Sequence, residues 1–171
     1  MKHTYVIQKD DLLFRPIVES DIENMRQWRN KDSIRKSFIY QETISKEQQE
    51  QWYKNYILND KDIMFIIEYL GKAIGTVALY NIDLEKKEAE FGRLMIGDLE
   101  ARGANIGRRT TCEICKFGFE VLGLDHIMLE VFSDNIYART PYQKVGFNEV
   151  GKRQEGDREI IIMRLDKGVI S

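Results

Sequence analysis

The stretch Ile96-Gly97-Asp98-Leu99-Glu100-Ala101-Arg102-Gly103-Ala104-Asn105-Ile106-Gly107-Arg108-Arg109-Thr110-Thr111 decides how the chain is read. It leaves an apolar, strand-like run and passes through a glycine-containing loop. It then enters Ile106 to Leu122, where Ile114, Phe117 and Val121 fall on one helical face. Backbone N–H groups at a helix start have no intrahelical partner and lie at the positive end of the helix dipole, so this junction suits a phosphate. Gly103 and Gly107 let the backbone come close to a ligand, and Arg102, Arg108 and Arg109 add cationic donors. A loop that merely joins two elements is the alternative, and the glycines alone do not choose between them.

Working outward, Glu88 to Ile96 reads as a strand, and so do Ile63 to Tyr69 and Ala73 to Tyr80, with Leu70-Gly71-Lys72 as a hairpin connection. Nearer the amino terminus, Leu12 to Arg15 forms a strand halted by Pro16. Ser20-Asp21-Ile22-Glu23 is a capping box opening a helix through Trp28, and Ser45-Lys46-Glu47-Gln48 opens another that runs to about Leu58. Beyond the third helix come a strand over His126 to Phe132, a short helix over Asn135 to Val145, and strands over Asn148 to Val150 and Glu159 to Leu165. The order β-α-α-β-β-β-α-β-α-β-β predicts an α/β fold with a mainly antiparallel sheet.

The chain of 171 residues shows no repeat, low-complexity tract or linker, so residues 1–171 are read as one domain. With 43% hydrophobic and 32% charged residues it has a globular composition, and a net charge of −2 argues against nucleic acid as a partner. No apolar run suits a signal peptide or approaches the roughly 20 residues of a membrane span, which leads to the expectation of a cytoplasmic protein with no membrane partner. Cys112 and Cys115 form a CxxC pair without a second Cys/His cluster, and His3 and His126 are isolated. Two thiols on a partly buried helical face, and no metal, are expected.

Arg102-Gly103-Ala104-Asn105-Ile106-Gly107 resembles the Arg/Gln-x-x-Gly-x-Gly/Ala signature of the GCN5-related N-acetyltransferase (GNAT) superfamily. It follows a strand reading AEFGRLMIG, and about thirty residues later Asn135-x-x-Ala138-x-x-x-Tyr142-Gln143-Lys144-Val145-Gly146-Phe147 resembles the family's second signature. The resemblance runs from Leu12 to about Leu165. It implies the GNAT fold, an α/β (α+β) arrangement with a mixed, mainly antiparallel sheet of six to seven strands flanked by about four helices. It also implies an acetyl-CoA-dependent N-acetyltransferase.

By the same resemblance, the loop Arg102, Gly103, Ala104, Asn105, Ile106, Gly107 and Arg108 cradles the pyrophosphate of acetyl-CoA, and Asn135 hydrogen-bonds its pantetheine arm. A backbone N–H around Met95 and Ile96 polarises the thioester, and Tyr142 is the general acid. Two positions depart from the family pattern. Asn105 stands where glycine is usual, and Asn is the least costly other residue if φ is positive there, at roughly 1 kcal/mol. Pro141 lacks a donor and ends or kinks the short helix unless it falls in the first turn.

Acetyl transfer also needs the amine in its neutral form. Glu90 is the candidate base, directly or through water, because a carboxylate in an apolar strand is costly to bury without a task. The alternative, that it faces solvent opposite Phe91, stands equally. The acceptor is expected among Trp28, Arg29, Asn30, Arg35 and Tyr40, where aromatic faces with interleaved arginines suit a nucleotide-linked amino sugar. Core packing of the tryptophans is the plain alternative. A protein amino terminus or a polyamine, with Glu85, Glu88, Glu90 and Glu100 as carboxylates, is the rival acceptor, and a non-catalytic acyl-CoA sensor is the rival class. The carboxy-terminal strands offer a place for a second copy to pair.

Overall fold

A computed structural model describes residues 2–98, 101 and 103–170. Its strands are β1 (Ile7–Lys9), β2 (Leu12–Pro16), β3 (Ile63–Tyr69), β4 (Lys72–Asp83), β5 (Glu88–Ile96), β6 (His126–Phe132), β7 (Asn148–Glu155) and β8 (Arg158–Asp166). The helices are α1 (Ile22–Asn30), α2 (Asp32–Arg35), α3 (Lys46–Leu58), α4 (Ile106–Glu120) and α5 (Ile136–Val145). The strands form a mixed sheet in the order β1-β2-β3-β4-β5-β6-β8-β7. This is the expected α/β architecture, with eight strands and five α-helices among the described residues in place of six to seven and about four; β1 and α2, of three and four residues, are too short to show a period. No helix among the described residues is long and apolar enough to cross a membrane.

The chain divides into two compact units, one of Met1–Ala78 with Arg93–Ala104 and one of Leu79–Gly92 with Asn105–Ser171. In the first, β2 lies antiparallel to β3, pairing Leu12 with Tyr69 and Phe14 with Ile67. Five consecutive residues of β3, Ile63 to Ile67, are buried, as in a strand covered on both faces. The connection to β4 is the two-residue turn Leu70-Gly71, with φ of 51° and 79°, so Lys72 already belongs to the strand. Two positive φ values give the turn whose twist matches that of the strands it joins.

The two helix starts fare differently. Ser45 caps α3 as expected: Gln48 N–H donates to its hydroxyl at 3.1 Å, while Ser45 N–H donates to Gln48 Oε1 at 2.8 Å. Ser20 does not cap α1. A 3-10 turn occupies Glu19–Asp21, and the buried Asp21 carboxylate accepts from Val18 N–H and from both terminal nitrogens of Arg15. Glu23 turns to Arg26 rather than back to the cap. A bidentate charged pair outweighs the hydroxyl cap that the sequence offers.

In the second unit, β5 and β6 run parallel, with Glu88 opposite His126, Ala89 opposite Ile127 and Glu90 opposite Met128. The antiparallel partner of β6 is β8, which places Ile127 against Leu165 and Leu129 against Met163. The helix α4 buries Ile114 and Cys115 completely, and burial of an isoleucine contributes about 2 kcal/mol. Gly118 lets α4 press onto the sheet: a Cβ there would stand 3.1 Å from Leu79 and Ile127 methyls. α5 continues through Pro141 to Val145, so the expected break does not occur.

Candidate active site

Asn105, the residue before α4, has φ 53° and ψ 31°, the left-handed conformation in which asparagine costs less than other side chains. Its side chain makes no cap bond, although its carbonyl accepts from Arg109 N–H at 2.9 Å. The first-turn amides are therefore not capped by the Asn105 side chain, and no acidic residue lies in that turn. Arg108 is exposed and Ile106 anchors the turn in the core. A Cβ built on Gly107, or on Gly103 with its φ of 104°, would meet nothing within 4 Å. Open backbone, a helix start that the Asn105 side chain does not cap and a neighbouring cation fit a pyrophosphate. Arg102 and Glu100 lie outside the described residues.

Asn135 caps α5, its side chain accepting from Ala138 N–H at 3.3 Å. Seven residues on, Tyr142 is half-buried, with its ring edge-on to Phe91, 5.9 Å between centroids, and 6.0 Å from Phe147. Burial pushes its phenol above the usual range, and nearby Cys115 and Tyr80 add to the rise. The group is thus held in its proton-donating form. Tyr80 was not singled out in the sequence; its hydroxyl lies 2.8 Å from where a Cβ on Gly92 would stand.

Glu90 has the opposite outlook to Phe91, as successive strand residues must. It accepts from Asn81 Nδ2 at 3.1 Å and lines a cavity of about 410 Å³ together with Glu88, Met128, Glu130 and Arg164. Within this unit the acid and base candidates do not converge on one face of β5.

The second half of β5 belongs to the first unit and is tied closely to β4. Gly97 N–H donates to the Ile74 carbonyl at 2.6 Å, and the Met95 oxygen lies 1.9 Å from where a Gly75 Cβ would be. Peptide groups of an extended strand alternate between its edges. With Met95 and Gly97 turned to β4, the Ile96 N–H is turned away from it, which separates the two amides that the sequence treated together. Arg93 has φ 51°, a left-handed residue inside the strand.

Of the acceptor candidates, Trp28 packs against Gly97, whose Cβ would fall 2.1 Å from the indole. Asn30 holds Ile44 by both N–H and carbonyl at 2.8 Å, and Arg35 is bound to Asp32 and the Gln41 carbonyl. Both shape the loop between α2 and α3, and Arg35 keeps its Nε buried without a hydrogen-bond partner. Arg29 donates to the Tyr40 carbonyl, sits 4.2 Å over the Phe38 ring and is buried, yet its Nη1 has no hydrogen-bond partner. Desolvation, with Arg35 adding to it, lowers its pKa. The Tyr40 ring is exposed and its hydroxyl donates to Glu42 at 3.1 Å.

Residues 11–148 match the family described as the acetyltransferase (GNAT) domain. Among curated proteins, the chain is 25% identical over 138 residues to the spermidine N(1)-acetyltransferase of Escherichia coli K12, covering 81% of this chain and 73% of that one. It is 28% identical over 134 residues to the acetyltransferase PseH of Campylobacter jejuni, covering 78% and 81%. Among solved structures, spermidine N-acetyltransferase from Vibrio cholerae, in complex with CoA and spermine, superposes with a TM-score of 0.85 at 21% identity, over 94% of this chain and 98% of that one. The match over most of its length places the chain in the GNAT family, as an acetyl-CoA-dependent N-acetyltransferase.

Proposed function

We propose that the chain acetylates the amine of a small molecule that also carries an anionic group, most simply an amino-sugar nucleotide. The observation that carries this reading is Arg29, buried beside a second arginine with one guanidinium nitrogen unpartnered. A desolvated cation without a carboxylate is costly, and a phosphate on the acceptor would relieve it.

Acetyl-CoA supplies an electrophilic thioester. The start of α4, with Asn105 left-handed and Arg108 beside it, would hold the pyrophosphate, with Arg102, Gly103, Ala104, Ile106 and Gly107 completing that loop and Asn135 meeting the pantetheine. The Ile96 N–H would donate to the acyl oxygen, and Tyr142 would protonate the departing sulfur. Glu90 would take the amine proton through water. We place residues 1–171 in the cytoplasm as one acetyltransferase domain, paired as a homodimer through β7, which ends the sheet order.

A polyamine acceptor is the second reading, favoured by Glu88, Glu90 and Glu130 around the 410 Å³ cavity and by the named activity of the Escherichia coli relative. Thiol release from acetyl-CoA separates the two. The proposal expects turnover with amino-sugar nucleotides that falls in Arg29→Met. Turnover with spermidine alone, unaffected by that change, would overturn it.

A further inference from the structure

We infer that Asp62 and Arg93 are positioning residues that fix the bend in β5 and so aim the Ile96 amide; this rests on the acyl-transfer reading above. Asp62 is buried, and both its carboxylate oxygens accept from Arg93 Nη1 at 2.7 Å. Its own backbone carbonyl is held by the ammonium of Lys2, so the carboxylate is presented from a fixed point. Arg93 is the residue with φ 51°, a conformation that an L side chain rarely adopts and that persists only where its surroundings enforce it.

A second tie acts on the same residue from β4. The hydroxyl of Thr76, fully buried, donates to the Arg93 carbonyl at 2.8 Å. The side chain of Arg93 is thus gripped from the loop residue just before β3 and its carbonyl from β4, and the bend between them is over-determined. A left-handed residue in a strand behaves as a bulge, which re-aims the peptide groups that follow it. Three residues on, the Ile96 N–H points away from β4. Without the grip, Arg93 would relax towards extended backbone and the edge to which Ile96 N–H points would be lost.

A pair that served stability alone would affect unfolding and leave the bound thioester untouched. The test is infrared difference spectroscopy of acetyl-CoA labelled with ¹³C at the acyl carbonyl, bound to the protein, alongside kcat and KM. Wild-type protein should displace the carbonyl band to lower frequency. Asp62→Asn, which keeps shape and removes the charge, should return the band towards its free position and lower kcat about 100-fold, with little change in the KM for acetyl-CoA. Thr76→Val, isosteric and neutral, should do the same to a smaller degree, and it decides the matter if Asp62→Asn does not fold. Variants that keep the displaced band and the wild-type kcat would overturn the inference. A wild-type protein that binds acetyl-CoA without displacing the band would instead overturn the acyl-transfer role of the Ile96 amide.

Discussion

The rings of Phe91 and Tyr142 meet edge to face, at an interplanar angle of 80°. The contact fixes the phenol from one side while Phe147 holds it from another. Tyr142→Phe keeps both ring contacts and removes only the hydroxyl. Turnover should fall at least about 100-fold with acetyl-CoA affinity retained within about twofold. A non-catalytic acyl-CoA sensor would be indifferent to the change. Because the phenol is raised above its ordinary value of 10.0, the pH–rate profile should show no loss of activity from Tyr142 below pH 10. A descending limb below that pH which disappears in Tyr142→Phe would remove it as the acid.

Gly107→Ala should separate stability from binding. The position is helical, and a Cβ there meets no other atom within 4 Å, so alanine should stabilise the fold by about 0.5–1 kcal/mol. The same methyl would stand over the amides proposed to hold pyrophosphate. A raised melting temperature with acetyl-CoA affinity reduced about tenfold is the expected pair of results. Unchanged affinity by calorimetry would put the anion site elsewhere.

At Asn105 the backbone decides. Asn105→Gly should preserve stability and acetyl-CoA binding, whereas Asn105→Ala should be about 1 kcal/mol less stable than Asn105→Gly, because a Cβ at positive φ crowds the backbone and glycine has none. Denaturant midpoints of the two variants check this, and equal midpoints would contradict it.

Gly75→Ala would drive a methyl into the Met95 carbonyl, 1.9 Å away and part of the backbone. Neither strand can yield cheaply, so the variant should lose about 3 kcal/mol by urea unfolding and lose turnover with it.

His3 provides a pH test. Its Nε2 lies 2.9 Å from the Met64 carbonyl, its ring is edge-on to Phe65, and its Nδ1 is buried without a partner. Burial lowers its pKa, and Lys2 adds to this against the opposing Met64 bond. The unfolded chain then binds a proton that the folded chain resists, so stability is full above the ordinary value of 6.5 and declines as the pH falls through the depressed folded value. Urea unfolding between about pH 5 and 7.5 should show this slope, and His3→Phe should flatten it.

What was legible in the sequence was what is local. The Ser45–Gln48 box closes within three residues, and the α4 start and the Asn135–Tyr142 frame each lie within one element, so each could be read from neighbours alone. Ser20 misled because Asp21 answers to Arg15, on the preceding strand. Arg29, Asn30 and Arg35 also hydrogen-bond to backbone carbonyls 6 to 14 residues away, which no side-chain pattern announces, and only the structure shows that Arg29 keeps one buried nitrogen without a partner. Asp62 and Arg93 are 31 residues apart. The one available signal was an arginine inside the apolar run Phe91 to Ile96, and it has meaning only once β4 and β5 are side by side.

The antiparallel pairing of β6 with β8 has a consequence for synthesis. Ile127, Leu129 and Val131 find their partners in Leu165, Met163 and Ile161, which leave the ribosome thirty or more residues later. Until then β6 has a bare apolar edge, and a nascent or prematurely terminated chain ending before Arg158 would carry that edge permanently, open to pairing with another unfinished copy. The second unit therefore completes its folding only after the last strand has been made, and its aggregation hazard lies in that interval rather than in the mature protein.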